Sequence, residues 1–294
     1  LDHLGDFYEH CSTVGETPAS FSPPARHLLE LVDRELPLGA RELIGSYLAS
    51  ARLLGQRTGE LHVALASDHG DPDFAPEPFT PFYRRSVYQS MRTAADRTLT
   101  LLRERIKNLP DEIRGEAEKI LTLRSEIFGR YRFVVDQKIS ALRIRCHGDY
   151  HLGQVLFTGK DFVITDFEGE PTQPLGERRA KRSPLRDIAS MLRSFEYAAI
   201  SGLRSGDFRP EQLSGLKPLA RGWVFWVSVA FLESYLEASR SGGFLPNGIE
   251  ELKNLLDLYL LEKAVYELRY ELNNRPDWVP VPIQGIVEIL HSPR

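Results

Sequence analysis

A chain of 294 residues, 42% apolar and 27% charged, can build one large core or two modest ones, and its composition is that of ordinary globular proteins. A net charge of −4, from 37 basic and 41 acidic residues, argues against a general binder of nucleic acid or membrane surfaces. Cys11 and Cys146 are too few for a disulfide framework or a Cys-rich zinc site, which points to a reducing cytoplasmic setting.

No apolar run approaches the roughly 18–20 residues that span a bilayer. The start, LDHLGDFYEHCSTVGE, lacks a basic segment followed by an apolar one and so is not a signal peptide. Residues 1 to about 24 are mixed in character and end in the loop-like ETPASFSPP. ARHLLELVDREL and ARELIGSYLASARLLGQRTGELHVALAS read as two helices, the second with Leu43, Tyr47, Leu54 and Leu61 near a 3.6-residue period. DHGDPDFAPEPFTP reads as a Pro/Asp loop. Two long helices are expected over Pro81–Asn108 and Asp111–Val135, parted by the breaker NLPDE.

The period then changes. LRIRCHG alternates around Leu142, Ile144 and Cys146, and QVLFTG and DFVITDF are short β-rich runs joined at Thr158, Gly159 and Lys160. Beyond them, SPLRDIASMLRSFEYAAISGL opens with a Ser-Pro helix start. LARGWVFWVSVAFLESYLEAS and GIEELKNLLDLYLLEKAVYELRYELNNRP read as long helices, with Trp223, Phe225, Trp226 and Phe231 as buried interior, and WVPVPIQGIVEIL closes the chain. The expected fold class is α+β, mainly helical, with a small β-cluster. Its parts are a helical region at 25–140, a loop and hairpin at 141–171, and C-terminal helices at 184–294.

The chemistry concentrates in RIRCHGDYHLGQVLFTGKDFVITDFEGEP. Asp149 follows a strand on a turn that Gly148 makes permissive, Gln154 stands at the entrance to the next strand, and Asp166 ends the one after. A hairpin would bring all three to one open edge, where oxygen donors suit Mg²⁺ shared with substrate phosphates. A carboxylate left off the metal could accept a hydroxyl proton during phosphoryl transfer. On the later helix, Lys263, Tyr266, Glu267 and Tyr270 recur at i, i+3, i+4 and i+7 and share a face, as a sugar floor or as core packing.

The His-x-Asp, an amide five residues on, and then Asp-Phe are similar to the catalytic loop of the aminoglycoside phosphotransferase and protein kinase-like superfamily. Gln154 stands where that group usually has Asn, and Glu168 where Gly is usual. Both departures, with HGDYHLGQVL, ITDFEGEP, ERRAKRSPLRDIASMLRSFEYAA, LEKAVYELRYELNNRPDWVPVPIQGI and FAPEPFTPFYRRSVYQSMR, resemble the bacterial maltokinase family, whose members are often fused behind trehalose synthase.

The resemblance implies the C-terminal lobe of a kinase-like fold and transfer of phosphate from ATP to maltose, giving maltose 1-phosphate, with Mg²⁺ as cofactor. It implies Asp149 as catalytic base, Gln154 and Asp166 as metal ligands, and His147 and Asp187 as supports of the catalytic loop. Tyr150, His151, Glu168, Lys263, Tyr266, Glu267 and Tyr270 become the substrate-binding candidates. Its partners would be maltose, ATP and, in fused members, a trehalose synthase domain, with no nucleic acid or membrane.

No glycine-rich strand–turn–strand and no VAIK-like strand precedes Arg143, so the nucleotide-covering N-terminal lobe is expected to lie outside this chain, leaving the isolated piece inactive. Two other readings stay open: a non-catalytic sugar-binding or docking module, and a kinase for another small hydroxyl acceptor such as an amino sugar or amino alcohol. ERRAKR reads as a phosphate grip or as a solvated charged loop. His147 and His151 have the spacing of half a metal site, without further His or Cys nearby to complete a zinc centre.

Overall fold

A computed structural model describes residues 2–13, 18–171, 173–206 and 208–292. Its helices are α1 (Asp2–Thr13), α2 (Leu38–Ile44), α3 (Tyr47–Leu65), α4 (Pro81–Arg105), α5 (Asp111–Thr122), α6 (Arg124–Asp136), α7 (Leu175–Arg179), α8 (Leu185–Ser205), α9 (Pro210–Ser239), α10 (Ile249–Asn274) and α11 (Pro280–His291). The strands are β1 (Glu77–Pro78), β2 (Leu142–Arg143), β3 (Val155–Phe157) and β4 (Phe162–Ile164). The result is α+β and mainly helical. None of the described helices is long and apolar enough to cross a membrane.

Several expected elements change length for local reasons. The segment that reads as a helix around ARHLLELVDREL forms only a 3-10 turn at Leu28–Glu30, started by the His27 ring, which accepts the Leu29 amide. The long helix expected after it breaks at Gly45, whose φ of 61° lies in the left-handed region, and yields α2 and α3. The mixed N-terminal residues form α1, which buries Leu4, Phe7 and Tyr8. α9 starts nine residues earlier than its apolar run, with Pro210 at its first turn and Pro218 carried inside.

β2 pairs antiparallel with β1, Glu77 opposite Arg143 and Pro78 opposite Leu142. Part of the stretch that reads as a Pro/Asp loop is thus a strand that receives the segment leading to Asp149. β3 and β4 form a separate hairpin, Val155 opposite Ile164 and Phe157 opposite Phe162. Its loop is pinned to α3 by Arg57, whose Nε and Nη2 reach Asp161 Oδ1 and Oδ2 at 2.8 and 3.0 Å.

The core is continuous through the helices, and Trp223, Phe231 and Tyr235 of α9 lie at its centre. α9 runs so close to α3 that only glycine fits at the crossing. A Cβ on Gly55 would lie 2.1 Å from the Phe231 carbonyl oxygen, and one on Gly59 2.7 Å from Ala238 Cβ. This close approach positions His62, one turn beyond, against α9 and the loop above. Gly55→Ala is therefore expected to lose stability through overpacking, by about 1–3 kcal/mol, measured as a lower midpoint in urea with an unchanged m-value.

Candidate functional site

Residues 146–151 leave β2 as irregular chain before a 3-10 turn at Leu152–Gln154, and one buried carboxylate holds their start. Asp187, in the first turn of α8 and 2% exposed, accepts the backbone amides of His147 at 2.7 Å and Gly148 at 3.0 Å. His62 Nε2 lies 3.2 Å from the same carboxylate, and His62 Nδ1 lies 3.0 Å from the Tyr235 hydroxyl. Burial alone would raise the Asp187 pKa, but the hydrogen bond and charge of His62, with the Gly148 amide, hold it below the usual carboxylate range. His62 was not singled out by the sequence; on a helical face it looks like any core residue.

His147 carries the brace across to the hairpin. Its Nε2 lies 2.8 Å from the Thr165 carbonyl oxygen, which therefore accepts, while its Nδ1 accepts the Asp149 amide at 3.4 Å. The ring also packs on Tyr150 and Phe167, with centroids 5.3 and 5.1 Å away. Thr165 in turn donates its amide to the Gln154 carbonyl at 2.9 Å. The loop that bears Asp149 and the one that bears Asp166 are thus bonded into one unit.

At the open end of that unit, Gln154 Nε2 lies 2.9 Å from Asp166 Oδ2. Asp166 has a φ of 63° and is the one non-glycine among the described residues with positive φ, a costly backbone state that Asp tolerates better than most. A half-turn of the Gln154 amide would present its oxygen beside the carboxylate, since amide orientation follows its partners. The pair then offers two oxygens, a donor set that fits Mg²⁺ completed by water and phosphate. Among the described residues no group of three or more His, Cys, Asp and Glu could enclose a metal, so an ion here would draw its remaining ligands from elsewhere.

Asp149 and His151 face a shared space, with His151 Nε2 3.9 Å from Asp149 Oδ2. Burial lowers the His151 pKa, against the pull of Asp149. A cavity of about 270 Å³ opens beside Gly148 and Gly169 and is walled by Glu170, Lys263 and Tyr266. Tyr266 bonds Glu170 through its hydroxyl, and burial raises its pKa. Lys263 Nζ sits 5.0 Å over the Tyr266 ring.

Three of the substrate-binding candidates lie off the cavity walls. Tyr150 is 1% exposed and its hydroxyl bonds Thr58 at 2.7 Å, so it is core beneath the loop. Glu267 is buried against Arg193, whose Nε reaches it at 2.8 Å. Tyr270 lies 44% exposed with Arg275 over its ring, away from the cavity walls. The cavity-facing stripe of α10 is rotated by about one residue and runs through Tyr259, Glu262, Lys263, Tyr266 and Arg269. Glu168 is exposed on the loop between Asp166 and Gly169.

The basic run does not present a phosphate grip at Lys181. That side chain is buried, donating to the Pro72 and Ala75 carbonyls at 2.6 Å and to Glu77 at 3.0 Å. Glu170, Glu262 and Arg186 also line the cavity and were not among the candidates, although Glu170 stands in the same short stretch as Asp166 and Glu168.

No protein-family model matches the chain. Among curated relatives, a glucosamine kinase of Mycolicibacterium smegmatis is 30% identical over 149 residues, 49% of this chain and 34% of that protein. One of Streptacidiphilus jiangxiensis is 24% identical over 249 residues, 83% of this chain and 50% of that protein. The chain thus spans half or less of the length of these relatives. Solved structures of glucosamine kinase superpose with TM-scores of 0.66 and 0.65 at 22% identity, over 90% of this chain and 57% and 56% of theirs. The second holds glucosamine, ADP and inorganic phosphate. The chain thus shares the fold of part of these structures, mainly helical with few strands.

Arg193 is shared by two carboxylates, Glu267 and Glu196, inside the helical layer behind the site. Burial raises the Glu196 pKa from an ordinary 4.5 to about 7, against the pull of Arg193. A raised carboxyl pKa means that the folded state holds its proton more tightly. Its stabilising contribution is full below pH 4.5 and is lost as pH rises towards 7. Chemical denaturation across that window should show the loss, and Glu196→Gln should flatten it.

Proposed function

We propose that this chain supplies the catalytic and acceptor-binding half of an ATP-dependent sugar kinase. One observation carries the reading. Asp149 and the Gln154–Asp166 pair sit on two loops locked together by His147, beside a cavity walled by polar and aromatic side chains. In this reading Asp149 accepts the acceptor hydroxyl proton as its oxygen bonds the terminal phosphorus and ADP leaves. Gln154 and Asp166 would hold Mg²⁺, which supplies charge neutralisation at the phosphates. Asp187, His62 and His147 hold the loop in place, and most of the rate enhancement comes from positioning. The nucleotide-covering lobe would come from sequence outside these 294 residues.

For the acceptor we favour a neutral sugar, maltose, giving maltose 1-phosphate. The motif strings around the site support it, and so does the charge at the cavity wall. Lys263, Arg269, Arg178 and Arg186 face the space together with Glu170, Glu177 and Glu262, a mixed lining that suits a neutral acceptor better than an acidic pocket built for a cation. Glucosamine is the second reading, favoured by the names of the relatives and by Asp149 and Glu170 near the acceptor position.

The complete protein that contains this chain should form sugar phosphate from MgATP, with maltose ahead of glucosamine in a competition panel. Asp149→Asn should cut turnover by about 10²–10⁴-fold while calorimetry still detects the sugar. Sugar binding without turnover in the unaltered complete protein would instead make this a sugar-binding module. Turnover of no sugar and binding of none would remove the reading.

A further inference from the structure

Two side chains of the basic run ERRAKR end on main-chain carbonyls. Lys181 closes the stretch before β1 through Pro72 and Ala75. Arg178, on α7, closes the loop that follows Asp166. Its Nε donates to the Gln173 carbonyl at 2.8 Å and its Nη2 to the Pro171 carbonyl at 2.9 Å. The stem of the same side chain covers Gly169, where a Cβ would lie 3.3 Å from Arg178 Cβ. Gly169 in turn lies against Gly148, the residue before Asp149. From the outside inwards the order is Arg178, the Asp166 loop, the Asp149 loop.

α7 has its own anchors. Arg145 Nη1 donates to the Arg179 carbonyl at 2.9 Å, Arg182 pairs with Glu177, and the main chains of Arg182 and Ile144 exchange two bonds of 2.9 Å. Pro174, Leu175, Gly176 and Glu177 are exposed, so bonds rather than burial hold this helix in place.

The loop that Arg178 covers needs such a restraint. Asp166 and Gly169 both have left-handed backbones, with φ of 63° and 74°, and a strained segment keeps its shape only when its surroundings over-determine it. A guanidinium fork fixes two carbonyls in one geometry, which a single ammonium does not. We propose that Arg178 is a positioning residue that holds the Asp166 loop against the Asp149 loop, so that ERRAKR clasps the site from outside and is not a contact to phosphate or sugar. The inference rests on the sugar-kinase reading and adds to it the part that keeps its two loops together.

The test uses the complete protein and compares Arg178→Ala, Arg178→Lys and, as a control with the same loss of charge, Arg179→Ala at the exposed neighbour. Mn²⁺ is the probe of the Gln154–Asp166 pair, with ADP present and the free ion counted by electron paramagnetic resonance. Arg178→Ala should weaken Mn²⁺ binding and lower kcat, each by about 10–100-fold, with KM for the sugar unchanged. Arg178→Lys keeps the charge but reaches one carbonyl, so it should fall between. Arg179→Ala should match the unaltered protein, and calorimetry of ADP without metal should give the same result for all four.

Unchanged Mn²⁺ affinity or kcat in Arg178→Ala, a loss confined to KM for the sugar, or weaker metal-free ADP binding would overturn the proposal. So would an equal loss in Arg179→Ala or full recovery in Arg178→Lys. Should Arg178→Ala not fold, Arg178→Lys carries the comparison. If the unaltered protein phosphorylates no sugar, the kinase reading fails separately, and the Mn²⁺ affinities alone decide the clasp. No Mn²⁺ binding by the unaltered protein refutes it.

Discussion

One buried carboxylate organises the site. Asp187 sits where water cannot solvate it, so it must be neutralised or fully bonded, and the fold supplies two loop amides and an imidazole. The amides are those of His147 and Gly148, the residues just before the catalytic candidate. The imidazole is on α3, which reaches this point only because Gly55 and Gly59 let it lie against the α9 backbone. Helix packing in the core is thereby converted into a fixed position for a surface carboxylate. His147 extends the same logic outward, since its two ring nitrogens satisfy one group on each functional loop.

The arrangement separates tasks by burial. Groups that only hold geometry, such as Asp187, His62, Tyr150 and Glu267, are withdrawn from solvent and bonded to other protein groups. The candidates for meeting a ligand, such as Gln154, Asp166, His151 and Lys263, are exposed or partly so. Residues of identical chemistry, for instance Glu170 and Glu267, fall on opposite sides of this divide. The cavity can therefore stay polar without the fold depending on a ligand to satisfy it.

Much of this was legible in the sequence. The hairpin, its turn at Thr158–Lys160, and the long helices α4, α8 and α10 follow from period, turn residues and proline placement, which are local signals. The adjacency of Gln154 and Asp166 follows from hairpin register, which two short β-runs suffice to predict. What was not legible depends on rotation and on distant partners. The sugar-face assignment on α10 came from the family resemblance checked against helical spacing, and spacing gives a shared face without saying which way it turns. Neighbours α4 and α8 decide that, and they turn Glu267 towards Arg193 and the core. Tyr150 looked like a ligand contact because it follows Asp149, yet Thr58, distant in sequence, claims its hydroxyl. His62 and Lys181 likewise act on segments far along the chain, and no local pattern marks them.

Gly148 and Gly169 meet where the two functional loops touch, each with a positive φ, and a Cβ on the first would fall 3.4 Å from the Cα of the second. The seam between the halves of the site is therefore made of bare main chain. No side-chain rotamer of either glycine can alter the gap across it. The spacing of the two loops at this seam is set by peptide planes, the stiffest parts a polypeptide possesses.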